Sequence, residues 1–440
     1  MTTPVTSVCL VGAIFLLASL LLAALAPPVA VAPVVSSVSG VVFEDLDGNH
    51  QRDPGEPGIG GALISDQVGV AGTDEDGTYR LLLSADSPGL VFVVPPPGFR
   101  RPGPNAGADE EPSWFRHIVE LPASDGLDDP SGSAAADEGG GGQSSSRRWD
   151  IALVRWRVQQ PFRFAHLSDP HVDVLSAARL QAALAEAAGL GASFAVISGD
   201  LVRDALRVDE FTARQRFERY ASVVNAASLP VFSVPGNHDI FGIERDQSGV
   251  SEDHPLYGKQ MYRRYLGPNY YAVNIGPLHL LVLDSVVFED LSYRGEMDST
   301  QLRWLQQDLA AAPSGSLLLP VMHIPLVSAA MGLFGYQPQG PSRTAQMVRG
   351  HYQFRHLVAN APTLLQLFRR YPVSLVLGGH FHKHERIQFS DGGNNIRFEN
   401  APAVVGEDEV RGLSFPSGFL LFEVEGDAIS EGRFVAVDGG

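Results

Sequence analysis

The chain has 440 residues, 44% of them apolar and 9% aromatic, so it can bury a sizeable core, and its length allows about three domains. Against 32 basic residues stand 50 acidic ones, a formal net charge of -18. That balance argues against a nucleic-acid backbone as partner, because such binding needs a basic surface that displaces counterions.

In chain order, the first feature is the uncharged apolar run Val8–Ala26; no charged side chain precedes Glu44. A helix that crosses a bilayer takes about 20 such residues. Residues 1–36 are therefore expected to be a signal peptide or membrane anchor with a low-complexity spacer. The remainder would then face outside the cytoplasm: extracellular, periplasmic or anchored. The basic residues that usually open a signal peptide are missing, so cleavage and retention both stay open. The only cysteine, Cys9, lies in this run, and the folded parts are expected to hold no disulfide.

Residues 37–121 read as a small all-β sandwich. Val38–Phe43, Ala62–Asp66, Tyr79–Leu83 and Leu90–Val94 are short strand-like runs bounded by turn residues. Asp45, Asp47, Asn49, Asp53 and Glu56 fall at the oxygen-donating positions of a twelve-residue calcium loop, although His50 replaces the glycine at its sixth position. The other reading of this loop is that its acidic side chains only cap turns. The segment resembles the B-type repeats of bacterial surface adhesins, and Thr73 to Tyr79 is similar to the hairpin signature of prealbumin-like modules.

Residues 122–148 are rich in Asp, Gly, Ser and Ala, with Gly139 to Gly142 consecutive, and predict a disordered acidic linker. Residues 149–440 are left as a larger unit. Trp149–Val158 alternates like a strand that packs one module onto the other.

In this unit five apolar runs each end in polar residues of one kind. Phe162–Leu167 leads to Asp169-Pro170-His171, Phe194–Ser198 to Gly199-Asp200, and Val231–Val234 to Gly236-Asn237-His238-Asp239. Leu317–Met322 leads to His323, and Val373–Leu377 to Gly379-His380-Phe381-His382. The runs read as buried strands, and open α/β sheets gather ligand sites where such strands end. Two metal ions about 3.5–4 Å apart need oxygen and imidazole donors and one shared ligand, for which a carboxylate is suited. Helical periodicity covers Ala177–Leu190, Asp209–Ala227 and Ser299–Ala312, the last capped at Asp298 or Ser299. Asp284 ends another strand run and reads as structural; His384 reads as lying on an outer strand face or in a turn.

The long stretch Pro325–Tyr371 holds Phe334, Tyr336, Arg343, Arg349, His351, Tyr352 and Arg355, and predicts a lid or binding wall with a helix over Leu357–Tyr371. One of its arginines could clamp a phosphate, or simply lie on a solvated helix face. Beyond His384, Ile396–Glu399, Gly418–Val424 and Gly432–Val437 are strand-like.

From Pro161 to Phe434 these motifs resemble the calcineurin-like metallophosphoesterases, whose pattern is Asp-x-His, Gly-Asp, Gly-Asn-His-Asp/Glu, His and Gly-His-x-His. The resemblance implies a four-layer α/β/β/α sandwich behind the small β-module, and two divalent or trivalent ions (Mn, Fe or Zn). Asp169, His171 and His382 would hold the first ion, Asn237, His323 and His380 the second, with Asp200 bridging. His238 would protonate the leaving oxygen, oriented by Asp239, while a hydroxide between the ions attacks phosphorus. Purple acid phosphatases lack the first histidine and carry a tyrosine where Arg203 stands. The chain therefore looks closer to the phosphodiesterase branches, and an exported phosphodiesterase is expected. The alternatives are a phosphomonoesterase of the same fold, a dinuclear hydrolase of another bond, and a surface adhesion protein with a degenerate enzyme domain.

Overall fold

A computed structural model describes residues 35–102, 114–123, 145–330, 345–348, 351–390, 392, 395–410 and 413–437. Val8–Ala26, Cys9, most of the expected linker, and Phe334, Tyr336, Arg343 and Arg349 lie outside these residues. His351 and Tyr352 belong to a strand, His351–Phe354, of which only the backbone is described.

Two six-stranded mixed sheets carry the site. The first runs Val231–Val234, Ala192–Ser198, Phe162–Leu167, Gly418–Glu425 and Ala428–Ile429, with Arg433–Ala436 also paired to Gly418–Glu425. Its first three strands are parallel and the fourth is antiparallel. The second runs Tyr271–Ile275, Leu278–Val282, Leu317–Val321, Leu375–Gly378, Asn395–Asn400 and Glu385–Ser390.

Side-chain alternation explains the layering. Phe164, Phe194 and Val196 point into the core shared with Leu280 and Phe422. Their neighbours Ala165, Leu167, Ala195 and Ile197 join Leu180, Leu184 and Phe217 of the helices Ala177–Gly189 and Glu210–Asn225. Phe164 stacks between Phe194 at 5.1 Å and Phe422 at 4.9 Å, filling the space between the sheets. Trp304, Leu305 and Leu309 of the helix Ser299–Ala311 bury in the same core, and Asp298 caps that helix by accepting from the Gln301 N–H. Both faces of the strands are covered, which is why they read as continuous apolar runs.

The helix expected over Leu357–Tyr371 is shorter, Ala361–Phe368, with a proline in its first turn. Val358 and Ala359 instead donate their N–H groups to the carbonyls of Pro325 and Gly295.

The amino-terminal module has two sheets whose inner faces bury Val38, Val42, Ile64, Tyr79, Val91 and Val93. Its extent corrects the sequence reading. Ile151–Arg155 pairs in parallel with Val42–Glu44, and Ser145–Arg148 pairs in parallel with Val35–Ser39. The end of the expected linker and the expected joining strand therefore complete the module's own sheet. Parallel pairing requires a long return connection, and the paired strands are separated in the chain by the module's other strands, from Leu63–Ser65 to Phe115–His117. The module's other face is not free either: Leu90, Phe92, Val94 and Phe115 lie in the core that contains Tyr270, Tyr271 and Trp304. Asn274 Nδ2 donates to the Pro95 carbonyl at 2.9 Å, and Gln67 Nε2 to the Tyr270 carbonyl at 2.9 Å.

Candidate metal centre

Asp169, His171, Asp200, Asn237 and His238 follow strands of the first sheet; His323, His380 and His382 follow strands of the second. Their loops turn sharply. Asp169, His171, Asp200, His380 and His382 all have positive φ, between 40° and 71°. Such backbone costs about 1–3 kcal/mol per non-glycine residue and collects at functional sites, where surrounding contacts hold it. The loops also approach closely: a Cβ on Gly236 would lie 2.1 Å from the Asp200 nitrogen.

Two groups of donors result. In the first, His382 Nε2 lies 3.2 Å from Asp169 Oδ1 and 3.2 Å from His171 Nε2. In the second, His323 Nε2 lies 3.2 Å from Asp200 Oδ1, 3.1 Å from Asn237 Oδ1 and 3.2 Å from His380 Nδ1. Asp200 reaches both, since its Oδ2 is 3.8 Å from His171 Nε2.

The chemistry of these donors suits cations. His323 Nδ1 lies 2.8 Å from the Ser198 carbonyl, which can only accept, so Nδ1 carries a proton and Nε2 is the nitrogen turned to the site. That nitrogen faces the oxygens of Asp200 and Asn237; protonated, it donates to them, and with a cation between them it offers its lone pair instead. Asp169 Oδ1 is buried and has no hydrogen-bond partner among the described residues. Burial alone would raise the Asp169 and Asp200 carboxyls, but His382 beside the first and His323 beside the second hold both below the usual range. Burial would lower His323; the Asp200 carboxylate instead lifts it to about 9. The enclosed donors thus favour positive charge among them.

His238 stands at the mouth, its side chain 28% exposed, with Nε2 4.0 Å from Asp200 Oδ2 and its ring edge-on to His171. Its Nδ1 has no hydrogen-bond partner among the described residues. Asp239 departs from the expected orienting role. Its carboxylate accepts the N–H groups of Gly236 at 2.7 Å, Val202 at 3.0 Å and Leu201 at 3.2 Å, and so ties two ligand loops together. Burial and the nearby Asp200 push it up to about 7.

His356 was missed by the sequence reading. Its Nδ1 lies 2.7 Å from His380 Nε2, and burial with the adjacent Arg355 moves it down to about 4. The available signal was a further histidine in the long stretch between His323 and His380. Arg355 lies over the Tyr293 ring at 4.3 Å. Arg203 pairs with Asp173 at 2.6 Å, His384 faces Glu399 at 3.7 Å, and Asp284 is buried against Lys259 and Asn269, a structural role.

In the amino-terminal loop, Asp45, Asp47 and Glu56 bring carboxylate oxygens within 4.8 Å of one another, with Asp53 outside the group. Asp45 and Glu56 each accept two backbone N–H groups, and Asn49 donates to Asp47 and Asp53 at 3.1 and 2.7 Å. Three residues of the calcium pattern, Asp45, Asp47 and Glu56, thus come together, while the hydrogen bonds of the same loop also close its turns.

A family model described as calcineurin-like phosphoesterase matches residues 162–384. Acid phosphatase type 7 of Homo sapiens is 29% identical over 195 residues, 42% of this chain and 39% of that protein. The chain thus spans less than half the length of that relative. A 3',5'-cyclic-nucleotide phosphodiesterase of Nostoc sp. is 23% identical over 219 residues, 48% of this chain and 67% of that protein. Among solved structures, a dimetal phosphatase from Danio rerio aligns with a TM-score of 0.42 and 16% identity, over 64% of this chain and 100% of that one.

Proposed function

Because the chain belongs to the calcineurin-like phosphoesterase family, we propose that it is an exported metal-dependent hydrolase of phosphate esters that favours phosphodiesters. The observation that carries this reading is Asp200, whose two carboxylate oxygens face the two separate donor groups. Asp169, His171 and His382 would hold one ion and Asn237, His323 and His380 the other, with Asp200 shared. When bound, two such ions polarise phosphoryl oxygens and supply a nucleophilic water at neutral pH. Ser198 fixes the His323 tautomer, and Asp239 holds the Asp200 and Asn237 loops in register. His238, beside Asp200 and open to the mouth, delivers a proton to the leaving oxygen, a step that typically contributes about 10²–10⁴-fold.

Three observations support the diester preference. Arg203 occupies the place of the purple-phosphatase tyrosine and is turned to Asp173. The Nostoc relative is a cyclic-nucleotide phosphodiesterase. A cavity of about 190 Å³ adjoins His382, lined by His384, Pro402, Phe415, Pro416 and Phe434, with room for an organic substituent. The human relative favours the monoester alternative. Export is supported by the uncharged run Val8–Ala26.

Hydrolysis of bis(p-nitrophenyl) phosphate and p-nitrophenyl phosphate by the metal-replete chain tests the reading. A kcat/KM for the diester more than a hundredfold below that for the monoester would reverse the preference. Inertness toward both with two ions bound would favour a degenerate enzyme domain.

A further inference from the structure

We propose that His356 is a positioning residue that fixes the tautomer and orientation of His380, and through it the second metal site; this rests on the dinuclear reading above. The two rings lie 5.0 Å apart at 29°, with His356 Nδ1 2.7 Å from His380 Nε2. Of two imidazole nitrogens this close, one carries the proton and the other the lone pair. The remaining nitrogen of His380, Nδ1, faces His323 Nε2 at 3.2 Å. To offer a lone pair there, the ring must keep its proton on Nε2 and donate it to His356 Nδ1. Metal-bound histidines commonly donate to a carboxylate or carbonyl. Here a neutral imidazole takes that place, which orients the ligand without adding negative charge beside Asp200.

His356 is held in position beforehand. On its carboxyl side, Val358 donates to the Pro325 carbonyl at 3.1 Å and Ala359 to the Gly295 carbonyl at 2.8 Å. Gly295 permits this approach, because a Cβ there would lie 2.3 Å from the Leu357 carbonyl oxygen. On its amino side, Arg355 rests on Tyr293, in the same strand as Gly295. The segment is thus tied both to the strand Ser292–Gly295 and to the loop after His323, as a supporting residue of a precise site must be.

Titrating the metal-stripped full chain with Mn²⁺ in a calorimeter tests the proposal, with electron paramagnetic resonance reading whether the bound ions form a coupled pair. His356→Ala is expected to weaken the second Mn²⁺ about 10- to 100-fold and leave the first unchanged. At ion concentrations that fill the wild type, the coupled-pair spectrum gives way to that of a single ion. His356→Asn, whose amide oxygen accepts the same bond, restores most of the affinity, while His356→Lys, a donor only, does not. Wild-type affinity for both ions in His356→Ala overturns the proposal. So does equal weakening of both ions, or an Asn variant as weak as the Ala variant, because a merely structural role predicts those results. A wild-type chain that takes up fewer than two Mn²⁺ overturns the dinuclear reading, and this inference with it.

Discussion

The backbone N–H of His238 donates to Asp200 Oδ1 at 2.8 Å, while the ring nitrogen Nε2 of the same histidine stands 4.0 Å from Asp200 Oδ2. The proposed shared ligand therefore also seats the proposed acid. Asp200→Ala removes the contact to both donor groups at once and is expected to lose more than one ion per chain. Elemental analysis of the purified variant checks this; full occupancy would remove Asp200 from the bridging position.

His238→Ala is expected to lower kcat by about 10² or more with metal content unchanged, since its ring lies at the mouth. Steady-state rates measured together with metal content separate the roles. Because His238, His171 and Asp200 bring donor atoms within 4.8 Å, departure of an ion with the activity would make His238 a ligand.

Asp239→Ala leaves three buried N–H groups without their acceptor, at Gly236, Leu201 and Val202. Unsatisfied buried donors cost about 1–3 kcal/mol each, part of which water entering the gap recovers. Urea unfolding is expected to show a loss of about 2–4 kcal/mol, with Asp239→Asn, which keeps an oxygen, losing less. Unchanged stability with abolished turnover would return Asp239 to the catalytic pair.

Phe92 of the amino-terminal module is fully buried in the core that also holds Tyr271 and Trp304. Phe92→Ala is expected to cost about 3–5 kcal/mol and to lower the melting temperature of the whole chain in a single transition. Two separated calorimetric transitions, only one of them shifted, would show that the module melts on its own.

Export predicts that the folded protein is recovered outside the cytoplasm. Fractionation that finds it soluble in the cytosol with Met1–Ala26 intact would contradict the proposed localisation.

Much of the catalytic unit was legible because its signals are local. Apolar runs followed by acid, amide and histidine report strands whose ends converge, and Asp209 and Asp298 begin their helices by bonding N–H groups three residues onward. Those features depend on neighbours in the chain. Tertiary packing decided what depends on distant partners. Ile151–Arg155 joined the module because Val42–Glu44 offered it an edge. Asp239 became a tie between loops because folding brought the N–H groups of Leu201 and Val202 to it. His356 met His380 only because Gly295 and Pro325 hold the intervening backbone against the site. Sequence pattern determines which surfaces must be buried and which residues stand at strand ends, whereas hydrogen-bond partners far apart in the chain are selected by the geometry of the packed sheets.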